Sequence, residues 1–182
     1  MELKFAVESF PTIRGWLEQQ QAHLVGTESQ ADLYLRHPAR NFKETGEALR
    51  LRREGSTVHV TYKGPVVDRA VKARREIELP LGNEVRTFSQ WQELFWILGF
   101  EPVFTVEKTR ETWLLPTPNG QITVVLDDVH GLGQFIELEL LAEESTREAA
   151  RDTLLQLAAA WNLTQPERRS YLEQLLQKQG LE

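Results

Sequence analysis

Charged and apolar residues alternate along short segments of this 182-residue chain, and this alternation restricts the fold more than any other feature of the sequence. The clearest case is GEALRLRREGSTVHVTYKGP, residues 46–65, which predicts two strands joined by a turn. Side chains i, i+2 and i+4 lie on one face of a β-strand. Arg50 and Arg52 therefore share one face of the first strand, and Leu49 and Leu51 share the other.

Similar patterns predict eight strands, which cover residues 2–7, 31–36, 46–53, 57–63, 72–79, 103–115, 121–129 and 134–141. Most of them can pair as antiparallel neighbours, because their connections are short and contain turn residues. One face collects the charged residues Glu2, Lys4, Arg50, Arg52, Lys63, Lys72, Arg74, Glu76, Glu78, Lys108, Arg110, Asp127, Glu137 and Glu139. The opposite face collects Leu49, Leu51, Ile77, Leu79, Ile122, Val124, Leu126, Ile136, Leu138 and Leu140.

Helical spacing of apolar residues predicts four helices beside these strands. The first covers residues 11–24, the second follows Ser89 and ends at Gly99, and two more open at Ser145 and Thr164. Each of the last three begins with Ser or Thr followed three residues later by Gln or Glu, which predicts a capping box. We expect their apolar stripes to be core: Ile13, Trp16, Leu17, Leu24, Trp91, Leu94, Phe95, Leu98, Leu154, Leu155, Leu157, Trp161, Tyr171, Leu172 and Leu175.

The composition excludes several classes of function. The net charge of -6 and the pI near 5.4 argue against a general nucleic-acid binder, which carries a basic excess. The absence of cysteine excludes disulfides, thiolate metal sites and cysteine nucleophiles. No apolar run approaches the roughly 20 residues of a membrane helix and no secretory signal is recognisable, so we expect a cytoplasmic protein. With no repeat or linker, we expect one domain over residues 1–182, with a homodimer as the candidate assembly.

Two arrangements explain the charged face. In the first, an ordinary one-sided sheet turns its charges to water and packs its apolar face under the helices. In the second, the sheet closes toward a barrel whose charged face lies inside. The second better explains why like charges occupy consecutive positions on the same face, because such clusters cost free energy unless something offsets it. The residues alone leave both arrangements open.

An interior lined by both signs of charge would have to hold water, metal and a polyanion, because unpaired buried charges are costly. Arginine and lysine side chains that converge in a groove suit phosphate oxygens. Carboxylates beside them would repel the same anion unless a divalent cation lay between the two. Mg²⁺ or Mn²⁺ is the natural choice, because these hard cations accept both carboxylate and phosphate oxygens.

An ordered series of short motifs resembles the CYTH superfamily, the triphosphate tunnel metalloenzymes. The motifs are ELKF at 2–5, EALRLR at 47–52, TYKGP at 61–65, RREIE at 74–78, VEKTR at 106–110 and LDDVHGLGQFIELE at 126–139. Each motif is weak alone, but their order over nearly the whole chain is specific. The resemblance implies an α+β fold, an eight-stranded antiparallel β-barrel that is closed or nearly closed around a triphosphate tunnel, with helices packed outside.

The resemblance also implies roles for individual residues. It assigns triphosphate binding to Arg50, Arg52, Lys63, Arg74, Lys108 and Arg110. It assigns divalent metal binding to Glu2, Glu76, Glu137 and Glu139, and catalytic roles to Lys4, Lys63 and Asp127. In the family signature E-x-E-x-K, Glu2 and Lys4 match the second Glu and the Lys, whereas the first Glu would precede Met1. We expect weaker metal binding if Met1 is the native start, and offer an upstream start as the alternative hypothesis.

Within the superfamily the chain looks most like the class IV adenylyl cyclases, notably in residues 126–139, 61–65, 32–35 and 170–172. The resemblance implies a Mg²⁺- or Mn²⁺-dependent enzyme that converts ATP to cyclic AMP and pyrophosphate. An inorganic or thiamine triphosphatase is the alternative, because the His-Phe motif of several bacterial cyclases is absent. A non-catalytic polyphosphate- or nucleotide-binding module is the second alternative. The expected partner is thus ATP, tripolyphosphate or thiamine triphosphate, with neither nucleic acid nor membrane.

Overall fold

The computed structural model describes residues 1–65, 75–118 and 120–181, apart from the side chain of residue 144. By its internal contacts the chain divides into two compact units. The first unit comprises Met1–Glu28 and Lys108–Glu182, and the second comprises Ser29–Glu107. The single domain expected from the sequence stays a prediction.

The described residues form eight strands and five α-helices. In chain order they are β1 (Glu2–Val7), α1 (Pro11–Gln19), β2 (His23–Arg36), α2 (Phe42–Thr45), β3 (Ala48–Glu54), β4 (Thr57–Lys63), β5 (Glu76–Gly82), α3 (Thr87–Ile97), β6 (Glu101–Thr117), β7 (Gly120–Val129), β8 (Gly133–Leu140), α4 (Arg147–Ala160) and α5 (Tyr171–Gln179). A 3₁₀ turn, Glu144–Thr146, precedes α4. The strands form an eight-stranded antiparallel sheet, which confirms the predicted α+β class.

Closure of this sheet into a barrel is not shown. Within the first unit the hydrogen-bonded order is β1-β8-β7-β6, and within the second it is β2-β3-β4-β5. β1 is therefore an edge strand of the first unit, and β5 is an edge strand of the second. The closed or nearly closed barrel implied by the resemblance stays a prediction.

In the first unit, the apolar face of the strands packs under helices α1 and α4. The register places Phe5 of β1 opposite Ile136 of β8, and Ile136 opposite Leu126 of β7. These side chains form one buried cluster with Leu17 of α1 and Leu154 of α4. The hydrophobic effect thus fixes which face is covered, and the charged side chains at alternate positions point the other way.

In the second unit, a separate apolar cluster lies on one face of β2, β3 and β4. Its buried members are Leu33, Leu35, Phe42, Leu49, Leu51 and Val58. Trp91 and Phe95 of α3 pack against it, as predicted, whereas Leu94 and Leu98 are exposed, so the prediction of a four-residue core stripe is wrong for these two. Leu79 lies on the predicted face opposite Val60 but remains exposed, because β5 is an edge strand.

The first helix is shorter than the sequence suggests. It ends at Gln19 in a Schellman motif, in which Ala22 N donates to Leu17 O at 2.9 Å and Gln21 N donates to Glu18 O at 3.0 Å. Gln21 has φ 57°, a left-handed conformation usually taken by glycine. Because no glycine marks the end of the helix, the apolar spacing predicts a helix that ends at Leu24, five residues beyond its end in the structure.

The predicted capping boxes are wrong in position. Helix α3 starts at Thr87, ahead of Ser89, and no side chain caps α3 or α4. The box expected at Thr164 occurs six residues later, where Ser170 accepts from Glu173 N and Glu173 accepts from Ser170 N. The short helix α2 was not predicted at all.

In the described part of the chain, none of the helices combines the length and the apolarity that spanning a lipid bilayer would require.

Candidate active site

The charged face of the strands carries side chains that are largely buried. Lys4 is 8% exposed, Lys108 is 6% exposed and Asp127 is 0% exposed. Arg52 and Glu137 are likewise buried, at 9% and 7%. Charged residues on the water side of a one-sided sheet are mostly exposed, so this burial argues against that arrangement. Buried charges persist when they are paired and hydrogen-bonded, and the contacts in each unit show such pairing.

In the first unit, Arg110 is the centre of a group of charged and aromatic residues. We call this group, which contains Lys4, Lys108, Arg110, Asp127, Glu137 and Tyr171, the Arg110 cluster. Arg110 of β6 lies directly opposite Asp127 of β7, so their side chains share a face. Arg110 donates from Nε to Asp127 Oδ1 at 2.7 Å and from Nη2 to Asp127 Oδ2 at 2.5 Å.

A second carboxylate also contacts Arg110. Its Nη2 also donates to Glu137 Oε2 at 2.7 Å. Although burial lowers it, the pKa of Arg110 is raised overall by the hydrogen bond and charge of Asp127 and by the charge of Glu137. The Arg110 guanidinium is therefore a permanent cation whose orientation is fixed by two carboxylates. It is a rigid planar group of hydrogen-bond donors on the charged face of the sheet.

Tyr171, the first residue of α5, joins the lysines of this cluster to Asp127. Its hydroxyl donates to Asp127 Oδ2 at 2.9 Å. The Lys4 ammonium lies 4.3 Å from the centre of its ring, and the Lys108 ammonium 5.5 Å from it. Both distances suit cation–π attraction. Burial, first of all, raises the pKa of Tyr171, so the phenol remains a hydrogen-bond donor.

The carboxylates assigned to metal binding in the first unit lie at adjacent positions of one sheet face. Glu2 of β1 lies directly opposite Glu139 of β8, and Glu137 is two residues from Glu139. Burial, then the charges of Glu2 and Glu137, raise the pKa of Glu139. Negative charge is thus concentrated here, and a hard cation that accepts carboxylate oxygens would relieve the repulsion.

Within the described residues, no three His, Cys, Asp or Glu side chains lie close enough together to hold a metal ion as they stand. The donor chemistry of Glu2, Glu137 and Glu139 nonetheless fits Mg²⁺ or Mn²⁺, and coordination by all three would need side-chain rotation. The fourth predicted ligand, Glu76, belongs to the second unit. There it forms an ion pair with Lys63, with Lys63 Nζ 3.1 Å from Glu76 Oε1.

In the second unit, Asp32 organises a comparable group, the Asp32 cluster, which contains Asp32, Arg50, Arg52, Thr61 and Glu78. Arg52 Nε donates to Asp32 Oδ1 at 2.6 Å and Arg52 Nη2 donates to Asp32 Oδ2 at 2.7 Å. Arg50 Nη1 donates to the same Oδ2 at 3.3 Å. One buried carboxylate therefore fixes both arginines of the EALRLR motif.

Further contacts of the Asp32 cluster involve Glu78 of β5. Arg50 Nη2 lies 3.8 Å from Glu78 Oε2, and the buried Thr61 hydroxyl donates to that oxygen at 2.8 Å. Tyr34 lies opposite Arg50 on the same face. Burial raises the pKa of Tyr34, while the charge of Arg50 opposes this rise.

The structure brings together most of the predicted residues within each unit. Lys4, Lys108, Arg110, Asp127 and Glu137 lie in the Arg110 cluster, and Arg50 and Arg52 lie in the Asp32 cluster. Arg74 lies outside the described residues. None of the functional roles assigned to these residues is tested by the geometry, so the roles stay predictions.

Sequence reasoning missed three residues of these clusters: Asp32, Thr61 and Tyr171. Asp32 alternates with Leu33 in β2, so its place on the charged face was readable from the sequence. Thr61 belongs to the TYKGP motif, but it carries no charge and was therefore not among the residues assigned to the charged face. Tyr171 belongs to an apolar stripe and to the cyclase-like residues 170–172, but neither feature reveals that its hydroxyl reaches a carboxylate 44 residues away.

The chain is similar to known proteins over nearly its whole length. A protein of Methanocaldococcus jannaschii named "Putative adenylate cyclase" is 31% identical over 176 residues, which cover 95% of this chain and 96% of that protein. The solved structure of the PH1819 protein from Pyrococcus horikoshii OT3 is similar with a TM-score of 0.80 and 37% identity, covering 97% of this chain and 98% of that one.

A second similar structure comes from Hippeastrum and is described as a "putative adenylyl cyclase" with a dominant triphosphatase activity. It matches with a TM-score of 0.64 and 13% identity over 98% of this chain and 95% of that one, a likeness that shows the fold alone. The family model described as the CYTH domain matches residues 1–171 of this protein. The chain therefore belongs to the CYTH domain family.

Proposed function

We propose that this protein is a divalent-metal-dependent enzyme that acts on a triphosphate, as a class IV adenylyl cyclase-like protein that converts ATP to cyclic AMP and pyrophosphate. The observation that carries the proposal is the burial of cations, Lys4 and Lys108 in the first unit and Arg52 in the second, on strand faces that also hold carboxylates. A polyanion together with a divalent cation would offset both sets of charge. Membership of the CYTH family and the name of the M. jannaschii relative support this assignment.

Six cations are proposed to bind the phosphate groups: Arg50, Arg52, Lys63, Arg74, Lys108 and Arg110. Arginine forks suit phosphate oxygens, and the carboxylates of Asp32 and Asp127 hold Arg52 and Arg110 in fixed orientations before substrate arrives. Donors that are already oriented stabilise developing negative charge without reorganisation during the reaction.

In the cyclase reaction, the ribose 3′-oxygen loses its proton and bonds to the α-phosphorus, and the bond from the α-phosphorus to the leaving pyrophosphate breaks. Lys4 and Lys63 are proposed to stabilise the negative charge that develops, and Asp127 to orient Arg110. Glu2, Glu76, Glu137 and Glu139 are proposed to supply oxygen ligands to Mg²⁺ or Mn²⁺. When bound, the metal polarises phosphoryl oxygens as a Lewis acid.

The test is an analysis of products. Purified protein is incubated with ATP, tripolyphosphate or thiamine triphosphate, each with Mg²⁺, with Mn²⁺ or with EDTA. We expect equal amounts of cyclic AMP and pyrophosphate from ATP, and no product in EDTA. Product that forms equally well with EDTA present would contradict metal dependence.

A triphosphatase is the second candidate function. The description of the Hippeastrum protein supports it, because that relative carries a cyclase name and a dominant triphosphatase activity on the same fold. Both reactions can use the same phosphate-binding cations and differ in whether a ribose oxygen or water is the nucleophile. Release of phosphate from tripolyphosphate without cyclic AMP from ATP would select the hydrolase. Binding of these compounds without any product would instead indicate a non-catalytic module.

A further inference from the structure

The start of helix α5 delivers one aromatic side chain to the Arg110 cluster. Ser170 and Glu173 form a reciprocal capping box, in which Ser170 N donates to Glu173 Oε2 at 2.6 Å and Glu173 N donates to Ser170 Oγ at 3.2 Å. This box fixes Tyr171 as the first residue of the helix. Its side chain is buried.

Two further contacts hold α5 against the strands of the first unit. Leu175 packs so closely on Gly131 that a Cβ added there would lie 3.3 Å from Leu175 Cδ2. Lys178 Nζ donates to Gly131 O at 2.6 Å. Helix α5 is thereby anchored to the turn between β7 and β8.

The segment before α5 contacts Lys4 through both its backbone and its side chain. Glu167 N donates to Lys4 O at 2.7 Å. Lys4 Nζ donates to Arg169 O at 2.5 Å. Tyr171 and its preceding residues therefore determine where the ammonium of Lys4 lies.

Tyr171 contacts the cluster in two chemically separate ways. Its hydroxyl donates to Asp127 Oδ2, the same oxygen that accepts from Arg110 Nη2. Its ring, held edge-on by Phe135 at a centroid distance of 5.0 Å, lies beside the ammonium groups of Lys4 and Lys108. The hydroxyl restricts Asp127, and through it Arg110, while the ring attracts two cations that would otherwise repel each other.

From these contacts we infer that Tyr171 is a positioning residue for the proposed reaction: its hydroxyl orients the Asp127–Arg110 pair, and its ring sets the positions of Lys4 and Lys108 for the phosphate groups. The inference rests on the proposed function. Because the hydroxyl and the ring act on different groups, their effects on turnover and on binding are separable by substitution.

The test compares Tyr171→Phe, which keeps the ring, with Tyr171→Leu, which removes it. Tyr62→Phe is the matched control, because it also removes a phenolic hydroxyl that donates to a carboxylate, that of Glu47. Tyr62 packs against the apolar cluster of the second unit and lies outside the Arg110 cluster. For each protein we measure kcat and KM with the triphosphate that the wild type turns over, and tripolyphosphate affinity by calorimetry. All assays are run well below the unfolding temperatures of the four proteins.

We expect Tyr171→Phe to lower kcat about 10- to 100-fold, the effect of losing a hydrogen bond to a charged group. KM should change less than kcat, because Asp127 and Glu137 still hold Arg110. Tyr171→Leu should lower kcat similarly and also weaken tripolyphosphate binding about 2- to 30-fold, the range of a cation–π contact. Tyr62→Phe should keep wild-type kcat and KM. Wild-type kcat in Tyr171→Phe, or equal losses in Tyr171→Phe and Tyr62→Phe, would overturn the inference.

The same experiment separates this inference from the proposed function. If the wild type binds tripolyphosphate but turns over no triphosphate, the proposed function fails. Weaker binding by Tyr171→Leu than by Tyr171→Phe would then still support the positioning of the lysines by the ring. Equal binding by those two variants would overturn that positioning, and absence of binding by the wild type would overturn both proposals.

Discussion

Asp32 and Arg52 occupy directly opposed positions of β2 and β3, and their side chains form a buried bidentate pair with N–O distances of 2.6 and 2.7 Å. Removing one charge of such a pair leaves the other buried with less compensation. We therefore expect Asp32→Asn to lower the free energy of unfolding by about 3–5 kcal/mol, as measured by urea denaturation.

Glu101→Gln is the control for this substitution. It removes the carboxylate of the ion pair between Arg36 and Glu101, whose side chains are exposed. Exposed ion pairs contribute only about 0–1 kcal/mol, because water screens them. Equal losses of stability in Asp32→Asn and Glu101→Gln would show that burial of the Asp32 pair has no energetic consequence.

Lys63 provides a direct test of phosphate binding in the second unit. Its ammonium is half-buried beside the Glu76 carboxylate. Without metal, Lys63→Ala should raise the Kd for tripolyphosphate about 10- to 100-fold, because a charge-assisted contact is lost. Lys43→Ala, which changes an exposed lysine of α2, should leave the Kd unchanged. Calorimetry would contradict the assignment if both variants bound like the wild type.

Glu76→Gln separates the two roles that Glu76 can have toward the same ligand. Without metal, its carboxylate repels the polyanion, so the variant should bind tripolyphosphate more tightly than the wild type. With Mg²⁺ or Mn²⁺, loss of a proposed metal ligand should make the variant the weaker binder. An effect of the same sign in both conditions would remove Glu76 from the proposed metal ligands.

The faces of the strands were predictable because two-residue periodicity is a local property. Arg50 and Leu51 must point to opposite sides whatever the strand pairs with. The pairing register is not local, and it is the register that sets Asp32 beside Arg52 and Arg110 beside Asp127. The sequence therefore predicted which residues lie on the charged face. Which carboxylate pairs with which arginine is known only from the structure.

The helix ends were predicted less well, for a different physical reason. Backbone hydrogen bonds and a left-handed Gln21 end α1, although glutamine is not a residue that marks such a turn. Likewise, three segments have the sequence of a capping box and do not form one, because tertiary packing sets where each helix begins. Tyr171 owes its place in the candidate site to a fourth such sequence, Ser170 to Glu173.

The assignment of faces also predicts the effect of a core truncation. Leu126 alternates with Asp127 along β7 and lies in the buried cluster of the first unit. Leu126→Ala should lower the free energy of unfolding by about 2–5 kcal/mol, because the substitution leaves a cavity. Leu155→Ala in α4, at an exposed position, should have a much smaller effect. Chemical denaturation that ranked the two variants in the opposite order would contradict the assigned core.

Glu139 links stability to the proposed metal chemistry. Its pKa is raised by burial and by the charges of Glu2 and Glu137, so folding disfavours its ionised form. Below the pKa that Glu139 has in the unfolded chain, the group is protonated in both states and costs no stability. As pH rises through that pKa and then through the higher pKa of the folded state, ionisation lowers the free energy of unfolding. Glu139→Gln should therefore raise the melting temperature at pH 7, and this gain should disappear when the pH falls below the ordinary pKa of a glutamate. Calorimetric scans of both proteins at pH 7 and at a pH below that pKa measure the difference.

Added metal should reverse the order of stability at pH 7. A cation that binds the folded wild type through Glu139 stabilises it by mass action, and Glu139→Gln would lose most of that stabilisation together with turnover. Glu93→Gln, at an exposed position of α3, should match the wild type with and without metal. If Mg²⁺ and Mn²⁺ raised the melting temperatures of the wild type and Glu139→Gln equally, Glu139 would not be a metal ligand. If Glu139→Gln were less stable than the wild type at pH 7 without metal, the carboxylate would stabilise the fold, contrary to the direction of its pKa shift.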